Sequence, residues 1–282
     1  MRKLVLVTAA AILGVGSVVY LAWSAQHREV VVDGPAGSQT SEAGSHVPLD
    51  QVDHSVWDRL LKKYVNQDGM VNYAAWKASE TDRAALKEYL ATLSQADPDA
   101  KTTKEGKLVF WINAYNALTV YGILGVYPTR SIRDHTAKVF GYNIWKDLLL
   151  PLGDKKYSLD AIEHEILRKL GEPRIHFAIV CASIGCPRLR NKAYTPANLE
   201  AQLADNTRDF FGRPKNLRVD LANRRVQMSS ILDWFGKDFA PTPQKALASL
   251  AEYMPDEATK RLVASGDFSV SYLDYDWSLN KQ

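Results

Sequence analysis

The chain has 282 residues, of which 46% are hydrophobic and 24% charged, and its net charge is +3. These values describe an ordinary globular protein. The sequence has no basic clusters interleaved with aromatic residues, which a nucleic-acid-binding surface would require. Composition and charge therefore exclude nucleic acid as a predicted partner.

The N-terminus carries an apolar segment long enough to cross a bilayer. Arg2 and Lys3 precede Leu4 to Trp23, twenty residues without a charge, and roughly 20 residues span ~30 Å of hydrocarbon. The segment predicts a signal-anchor helix over residues 1–24, single-pass in the cytoplasmic (inner) membrane. The preceding positive charges place the domain in the periplasm or outside the cell. The alternative is a cleaved signal peptide and secretion to the periplasm, although Ala22-Trp23-Ser24 is a poor cleavage site.

Residues 25–47 are rich in Gly, Ser and short polar residues and predict a flexible linker. Residues 48–282 show no repeat and no further change of composition, so they predict one globular domain. The predicted elements of this domain, in chain order, are helices over 52–64, 74–91, 104–127 and 158–170, a helix from Thr195 to about Phe211, a hairpin over 217–229, helices over 231–235, 244–253 and 256–264, and a closing strand over 268–275. Ser158 is the predicted N-cap of the helix over 158–170.

The apolar run from Ile175 to Val180 predicts a buried strand. Gly185 and Pro187 end it soon after Cys181, which leaves the two cysteines of the chain, Cys181 and Cys186, at the strand end. The predicted fold class is therefore α/β (α+β), a single domain with a central mixed sheet flanked by helices. The end of a sheet strand is also where an α/β protein places its chemistry.

The helix over 104–127 is apolar nearly all round from Leu108, which predicts a central, buried helix. Asn113 and Asn116 lie on one face of it. A buried amide without a partner costs roughly 1–3 kcal/mol, so both side chains need partners. They either brace neighbouring loops through backbone hydrogen bonds or line a pocket and orient a substrate or an imidazole.

Several segments together resemble the signature segments of the DUF547 domain family, a domain of unknown function found in bacteria, plants and some animals. The segments are Phe110–Ala117, Asp160–His164, Arg174–Pro187 and Tyr275–Asn280, supported by Gly69–Tyr73 and Ile231–Phe235. The resemblance implies an α/β domain with a kinship to papain-like or transglutaminase-like thiol enzymes. It supplies no reaction.

A cysteine-dependent hydrolase or acyltransferase acting on peptide- or amide-like envelope substrates is the predicted function. Such an enzyme needs a thiolate, a base and a group that orients the base. In a regular strand His176 and Cys181 would point to opposite faces about 16 Å apart, so His176 is only a candidate for substrate binding. The predicted nucleophile is Cys181 and the predicted base His164, with Glu163 beside it. Asn113 or Asn116 would act as orienting group or oxyanion donor.

Three other hypotheses use the same residues. A disulfide between Cys181 and Cys186 would brace a non-enzymatic domain that binds a small molecule, a peptide or another envelope component. A metal site with Cys181, His164 and His176 as ligands lacks the spacing of known zinc motifs. A thiol–disulfide oxidoreductase would favour a two-residue gap between its cysteines. No cofactor and no metal are predicted.

Overall fold

The computed structural model describes residues 29–32, 47–137 and 141–282. The predicted signal-anchor helix over 1–24 and most of the predicted linker over 25–47 lie outside these residues. Among the described residues, the helix Lys104–Val126 is long and apolar enough to cross a membrane. Most of its apolar stretch is buried inside the protein. This helix is therefore the centre of the domain core.

The described residues form a mixed α/β fold. The helices are α1 (Ser55–Tyr64), α2 (Tyr73–Ala78), α3 (Glu80–Leu93), α4 (Lys104–Val126), α5 (Ile144–Asp147), α6 (Leu159–Ala161), α7 (Leu199–Phe211), α8 (Ile231–Phe235), α9 (Pro243–Ala248) and α10 (Glu257–Ser265). The strands are β1 (Val30–Val31), β2 (Val47–Pro48), β3 (Ala96–Asp97), β4 (Leu148–Leu152), β5 (Lys155–Ser158), β6 (Leu217–Asp220), β7 (Arg225–Ser229) and β8 (Ser269–Leu273).

The central helix α4 is where the sequence placed it. Thr103 caps its first turn by accepting a hydrogen bond from the Gly106 N–H, and the helix ends at Val126, just before Tyr127 and Pro128. Because Pro disfavours helical backbone in the residue before it, the stop at this point follows from the sequence. Apolar side chains surround the helix, and nearly all of them are buried.

The predicted central sheet is wrong. The described residues contain three small sheets, ordered β1–β4–β5, β2–β3 and β6–β7–β8. The predicted hairpin is confirmed as β6 and β7, which pair antiparallel, and the predicted closing strand is β8, which pairs parallel to β7.

The predicted strand over Ile175–Val180 is also wrong. Pro173–Phe177 is a 3₁₀ helix, and the Glu172 side chain accepts a hydrogen bond from the Arg174 N–H at its start. The segment is mostly apolar because it runs between two cores: Ile175 packs in the core around α4, whereas Phe177 packs in the core formed by α7–α10 and the third sheet. A short run buried on all sides has no periodicity that separates a strand from a tight helix.

Asn116 supplies the hydrogen bonds that a neighbouring strand would have given to this segment. Its Nδ2 donates to the Ala178 carbonyl at 3.0 Å, and its Oδ1 accepts from the Val180 N–H at 2.9 Å. Asn113 binds the backbone of Tyr194 in the same way: its Nδ2 donates to the Tyr194 carbonyl at 2.9 Å, and its Oδ1 accepts from the Tyr194 N–H at 3.0 Å. Both asparagines are therefore braces between α4 and backbone segments, and Asn116 fixes the residues directly before Cys181.

We predict that Asn116→Ala lowers the free energy of unfolding by about 2–4 kcal/mol, because it removes two hydrogen bonds and leaves buried backbone groups without partners. Urea denaturation measures the change. Asn198→Ala is the control: this exposed side chain bonds only to Thr195, and its loss should cost less than about 0.5 kcal/mol. Equal effects of the two substitutions would contradict the bracing role.

Candidate functional site

The loop from Cys181 to Cys186 is held by the C-terminal end of the chain. The Ile184 N–H donates to the Ser278 carbonyl and the Gly185 N–H to the Asp276 carbonyl, both at 2.8 Å. Ala182 has a φ of +60°, in the left-handed region that a residue with a Cβ rarely adopts. The Ala182 carbonyl accepts a hydrogen bond from the Asn280 N–H at 3.0 Å. The loop thus depends on distant residues for its shape.

Tyr275 sits against this loop and reaches both sulfurs. A Cβ at Gly185 would lie 2.8 Å from the Tyr275 ring, so only glycine permits this contact. The two sulfur atoms lie 2.8 Å apart, and the Tyr275 hydroxyl is 3.3 Å from the Cys181 Sγ and 3.0 Å from the Cys186 Sγ. Both cysteines are free thiols in this structure.

The environment shifts the pKa values of the two thiols in opposite directions. Burial opposes ionisation of Cys186, but hydrogen bonds from the Cys181 thiol, the Tyr275 hydroxyl and the backbone lower the pKa of Cys186. The hydrogen bond to Cys186, together with burial, raises the pKa of Cys181. Burial likewise raises the pKa of Tyr275, so its hydroxyl stays protonated and donates. The first charge on the sulfur pair therefore forms at Cys186.

Glu163 lies on a helix that is less regular than the sequence predicts. Ser158 is the N-cap, as predicted, and accepts from the Ala161 N–H, but α6 passes into a π-helix over Ile162–Leu167 and a 3₁₀ turn over Arg168–Leu170. The Arg168 N–H donates to the carbonyl of Glu163, five residues earlier. Such π turns occur frequently at functional sites.

The Glu163 carboxyl is buried beside the thiols. Its Oε2 lies 3.3 Å from the Tyr115 hydroxyl. The pKa of Glu163 is raised to about 7, and burial is the main cause. The interaction with His164 acts in the opposite direction, and the interaction with Cys181 contributes to the rise. A carboxyl with this pKa exchanges a proton near neutral pH, as a general acid or base must.

His164 is not arranged as a base in this structure. Arg168 Nη1 lies 3.2 Å from the His164 Nδ1, and because a guanidinium only donates, Nδ1 must be the acceptor. The proton of the neutral ring is then on Nε2, which lies 3.9 Å from the Asp160 Oδ1. His164 can therefore donate a hydrogen bond through Nε2, whereas its lone pair is already engaged.

His176 belongs to the same network from the other side. Its Nε2 lies 2.8 Å from the Asp238 Oδ2, and Arg168 binds both oxygens of Asp238 at 2.6 and 2.7 Å. Burial lowers the pKa of His176 to about 4, and the hydrogen bond from Arg168 lowers that of Asp238 to about 2. The His176 ring stacks on Phe235 with a centroid distance of 4.2 Å. His176 is thus a neutral ring held between a carboxylate and an aromatic face.

These groups surround one cavity of about 190 Å³. Cys181, Cys186, Glu163, His164 and His176 line it, so the predicted separation of His176 from the cysteines by strand geometry is wrong. Aromatic side chains make up most of the remaining wall, namely Tyr115, Trp145, Trp234, Phe235, Tyr275 and Trp277. Trp234 is 46% exposed, which marks the side on which the aromatic wall meets solvent.

The sequence named four of these cavity residues as candidates, and the structure brings them together: Cys181, His164, Glu163 and His176. Asn113 and Asn116 are not among the lining residues. Tyr115, Arg168 and Asp238 were not predicted. Tyr115 is one position before Asn116 and could have been found as a polar residue in an apolar helix, whereas nothing near Asp238 in the sequence points to a partner 62 residues away. No group of three or more His, Cys, Asp or Glu residues that could hold a metal is found in 29–32, 47–137 and 141–282.

Fold and site together define a mixed α/β domain with a thiol pair and a buried carboxyl in an aromatic cavity. Residues 100–211 match the family model DUF547, described as a protein of unknown function, which confirms the resemblance found in the sequence. The match runs from the start of α4 to the end of α7 and includes both cysteines, Glu163, His164 and His176. The Tyr275–Asn280 segment lies outside the match. Neither the curated proteins nor the solved structures contain a match.

We predict that Glu163→Gln stabilises the protein at pH 8 but not at pH 4. The folded-state pKa is raised from 4.5 to about 7, so the native state holds more protons than the unfolded state between these values. This contribution is fully present below pH 4.5 and is lost as the pH rises through 7. The expected gain at pH 8 is on the order of 2 kcal/mol, measured by urea denaturation at both pH values. A gain of equal size at pH 4 would contradict the assigned pKa.

We predict that Tyr275→Phe slows alkylation of the thiol pair by iodoacetamide at pH 7. The substitution removes the hydroxyl that donates to the sulfurs, and a hydrogen bond to a charged group contributes about 1.5–3 kcal/mol. The rate should fall about tenfold or more, as followed by mass spectrometry of the cysteine peptide. Tyr272→Phe, in an exposed position, serves as the control and should leave the rate unchanged.

Proposed function

We propose that this domain is a cysteine-dependent hydrolase or acyltransferase acting on peptide- or amide-like envelope substrates. The observation that carries the proposal is the cavity shared by the thiol pair and Glu163, whose pKa is about 7. A nucleophile and a group that exchanges protons near neutral pH are the minimum that acyl transfer requires. The aromatic wall offers a planar, apolar surface for the acyl group or its neighbours.

Cys181 is the proposed nucleophile because it is less buried than Cys186, which is only 3% exposed. The Cys186 thiolate takes the proton of the Cys181 thiol as the Cys181 sulfur bonds to the substrate carbonyl carbon. The carbon–nitrogen bond breaks, and Glu163 gives its proton to the leaving amine. The products of this step are a thioester on Cys181, a free amine, a neutral Cys186 and an ionised Glu163.

Water completes the cycle. The Glu163 carboxylate takes one proton of the water as its oxygen attacks the thioester carbonyl, and the acid product leaves. Cys181 departs with the proton returned by Cys186, which restores the thiol, the Cys186 thiolate and the protonated Glu163. In an acyltransferase an amine or alcohol takes the place of water. His164 contributes its Nε2–H as a hydrogen-bond donor at the cavity wall rather than as the base.

The proposal includes the place of the domain. The uncharged segment Leu4–Trp23, with Arg2 and Lys3 before it, supports a single-pass anchor in the cytoplasmic membrane with the domain on the far side. Its substrates would then be components of the cell envelope. Secretion to the periplasm after cleavage of the segment is the alternative, and both place the site outside the cytoplasm.

The short distance between the two sulfur atoms favours a second candidate function, ligand binding without catalysis. The 2.8 Å between the sulfurs supports a domain braced by a Cys181–Cys186 disulfide in an oxidising compartment, which would bind a ligand in the aromatic cavity without reacting with it. A disulfide would remove the nucleophile, so the two functions exclude each other in any one redox state.

Acylation by p-nitrophenyl acetate tests the proposal. We predict that the reduced protein releases p-nitrophenol and carries an acetyl group on the peptide containing Cys181. Cys181→Ser should abolish this adduct, and Glu163→Gln should slow its hydrolysis about tenfold or more, as removal of a general base does. An unmodified cysteine peptide in the reduced protein, or an adduct that forms equally in Cys181→Ser, would refute the enzyme.

Alkylation with and without reductant separates the two functions. A thiol enzyme isolated from the envelope should react with iodoacetamide before reduction, whereas a disulfide-braced domain should react only afterwards. Mass spectrometry of the intact chain measures this directly. Ser183→Ala, which leaves both cysteines in place, is the control for nonspecific effects on the loop.

A further inference from the structure

A second cavity, of about 650 Å³, lies between α3, the last turns of α4, and strands β1 and β4. This volume is within the range of about 300–1,000 Å³ typical of small-molecule sites. Leu86, Tyr121, Leu124, Tyr142 and Leu148 supply an apolar wall. None of the residues that line the cysteine cavity lines this one, so the two sites are separate.

Two glycines one turn apart on α4 keep this cavity open. A Cβ at Gly122 would lie 2.6 Å from Leu148 Cδ2, so the position next to β4 has no room for a side chain. A Cβ at Gly125 would meet nothing within 4 Å. The space beside Gly125 is therefore part of the cavity itself, and a side chain placed there would enter it without strain.

The position of Val30 connects this cavity to the apolar N-terminal segment. Val30 lines the cavity and is 39% exposed, and its pairing with Leu148 fixes β1 against β4. Val30 follows Trp23, the end of the uncharged segment, by only seven positions. Seven residues span at most about 25 Å. If the segment is anchored as proposed above, the cavity lies within this distance of the bilayer surface.

We propose that this cavity binds one acyl chain of a phospholipid from the membrane to which the domain is anchored. The inference rests on the proposed anchoring and adds a site that the thiol chemistry does not use. The aliphatic and aromatic walls match a hydrocarbon chain, which gains free energy when it leaves water for an apolar cavity. Arg83 is exposed at the cavity edge, where a guanidinium suits a lipid phosphate.

The chain segments that could fill the cavity in place of a lipid are residues 33–46 and 138–140, and the size of their apolar side chains decides how well each would fit. Residues 33–46, which follow β1, contain Asp, Gly, Pro, Ala, Ser, Gln, Thr, Glu and His. Proline is the largest apolar side chain among them, so this stretch offers little that an apolar wall would hold. The three residues 138–140 include Val139 and Phe140, and they are therefore tested as a competing occupant.

Photo-cross-linking of the full chain in nanodiscs tests the inference. The nanodiscs contain phosphatidylglycerol, phosphatidylcholine and a small fraction of phosphatidylcholine that carries a diazirine in its acyl chain. After irradiation, adducts are expected on peptides that contain Leu86 and Tyr121–Val126. Gly125→Trp should reduce these adducts about tenfold, because the indole occupies the space of the chain. Ala264→Trp, an exposed helical position away from the cavity, should label like the wild type.

Three outcomes would overturn the inference. Adducts confined to residues 1–28 of a chain embedded in nanodiscs would leave the anchor in place and remove the cavity as a lipid site. A strong increase of cavity adducts in Phe140→Ser would identify residues 138–140 as the native occupant. A chain that does not enter nanodiscs at all would refute the anchoring and, with it, the bilayer as the source of the ligand.

Discussion

The backbone hydrogen bonds between the Cys181–Cys186 loop and Asp276–Asn280 are the constraint on which the site depends. They hold Ala182 at a φ that its Cβ disfavours, and they bring the adjacent Tyr275 onto Gly185. Strain of this kind persists only where surrounding structure enforces it. The chain therefore uses its last residues to complete a loop almost a hundred positions earlier, and loss of this contact would remove the hydroxyl from both sulfurs.

The effect of burial on the pKa of each ionisable group at the cavity depends on the charged and hydrogen-bonding partners of that group. His176 has a carboxylate partner, yet burial keeps its ring neutral, and Asp238 stays ionised because Arg168 binds both of its oxygens. For Glu163 the interactions with His164, the Tyr115 hydroxyl and Arg168 lower the pKa less than burial raises it. The Arg168–Asp238 pair thus orients the two histidines, and the Glu163 carboxyl exchanges a proton near pH 7.

The sequence predicted those features that local periodicity or local chemistry determines. The apolar helix α4, the hairpin β6–β7 and the Ser158 cap are of this kind, and they agree with the structure. The segment before Cys181 could not be assigned correctly, because a short, mostly apolar run has no clear period and its backbone partner is one asparagine side chain 62–64 residues away. The π turn at Glu163 and the contacts of Tyr275 and Asp238 likewise depend on tertiary packing that no short pattern encodes.

The electrostatic interaction between Glu163 and the sulfur pair determines the order in which protons move in the proposed acyl transfer. In the proposed acylation the negative charge passes from Cys186 to the Cys181 sulfur as that sulfur attacks. A charge at Cys181 raises the pKa of Glu163, since two like charges in one buried cavity repel. While the pair carries its thiolate charge, Glu163 is therefore held in the protonated form that a leaving amine needs. Acylation consumes that charge, the repulsion ends, and the pKa of Glu163 falls. The carboxylate is then available to take a proton from water at the step that requires a base. In the proposed mechanism one carboxyl therefore acts as the acid for the leaving amine and as the base for the attacking water, while Cys186 exchanges the proton of Cys181.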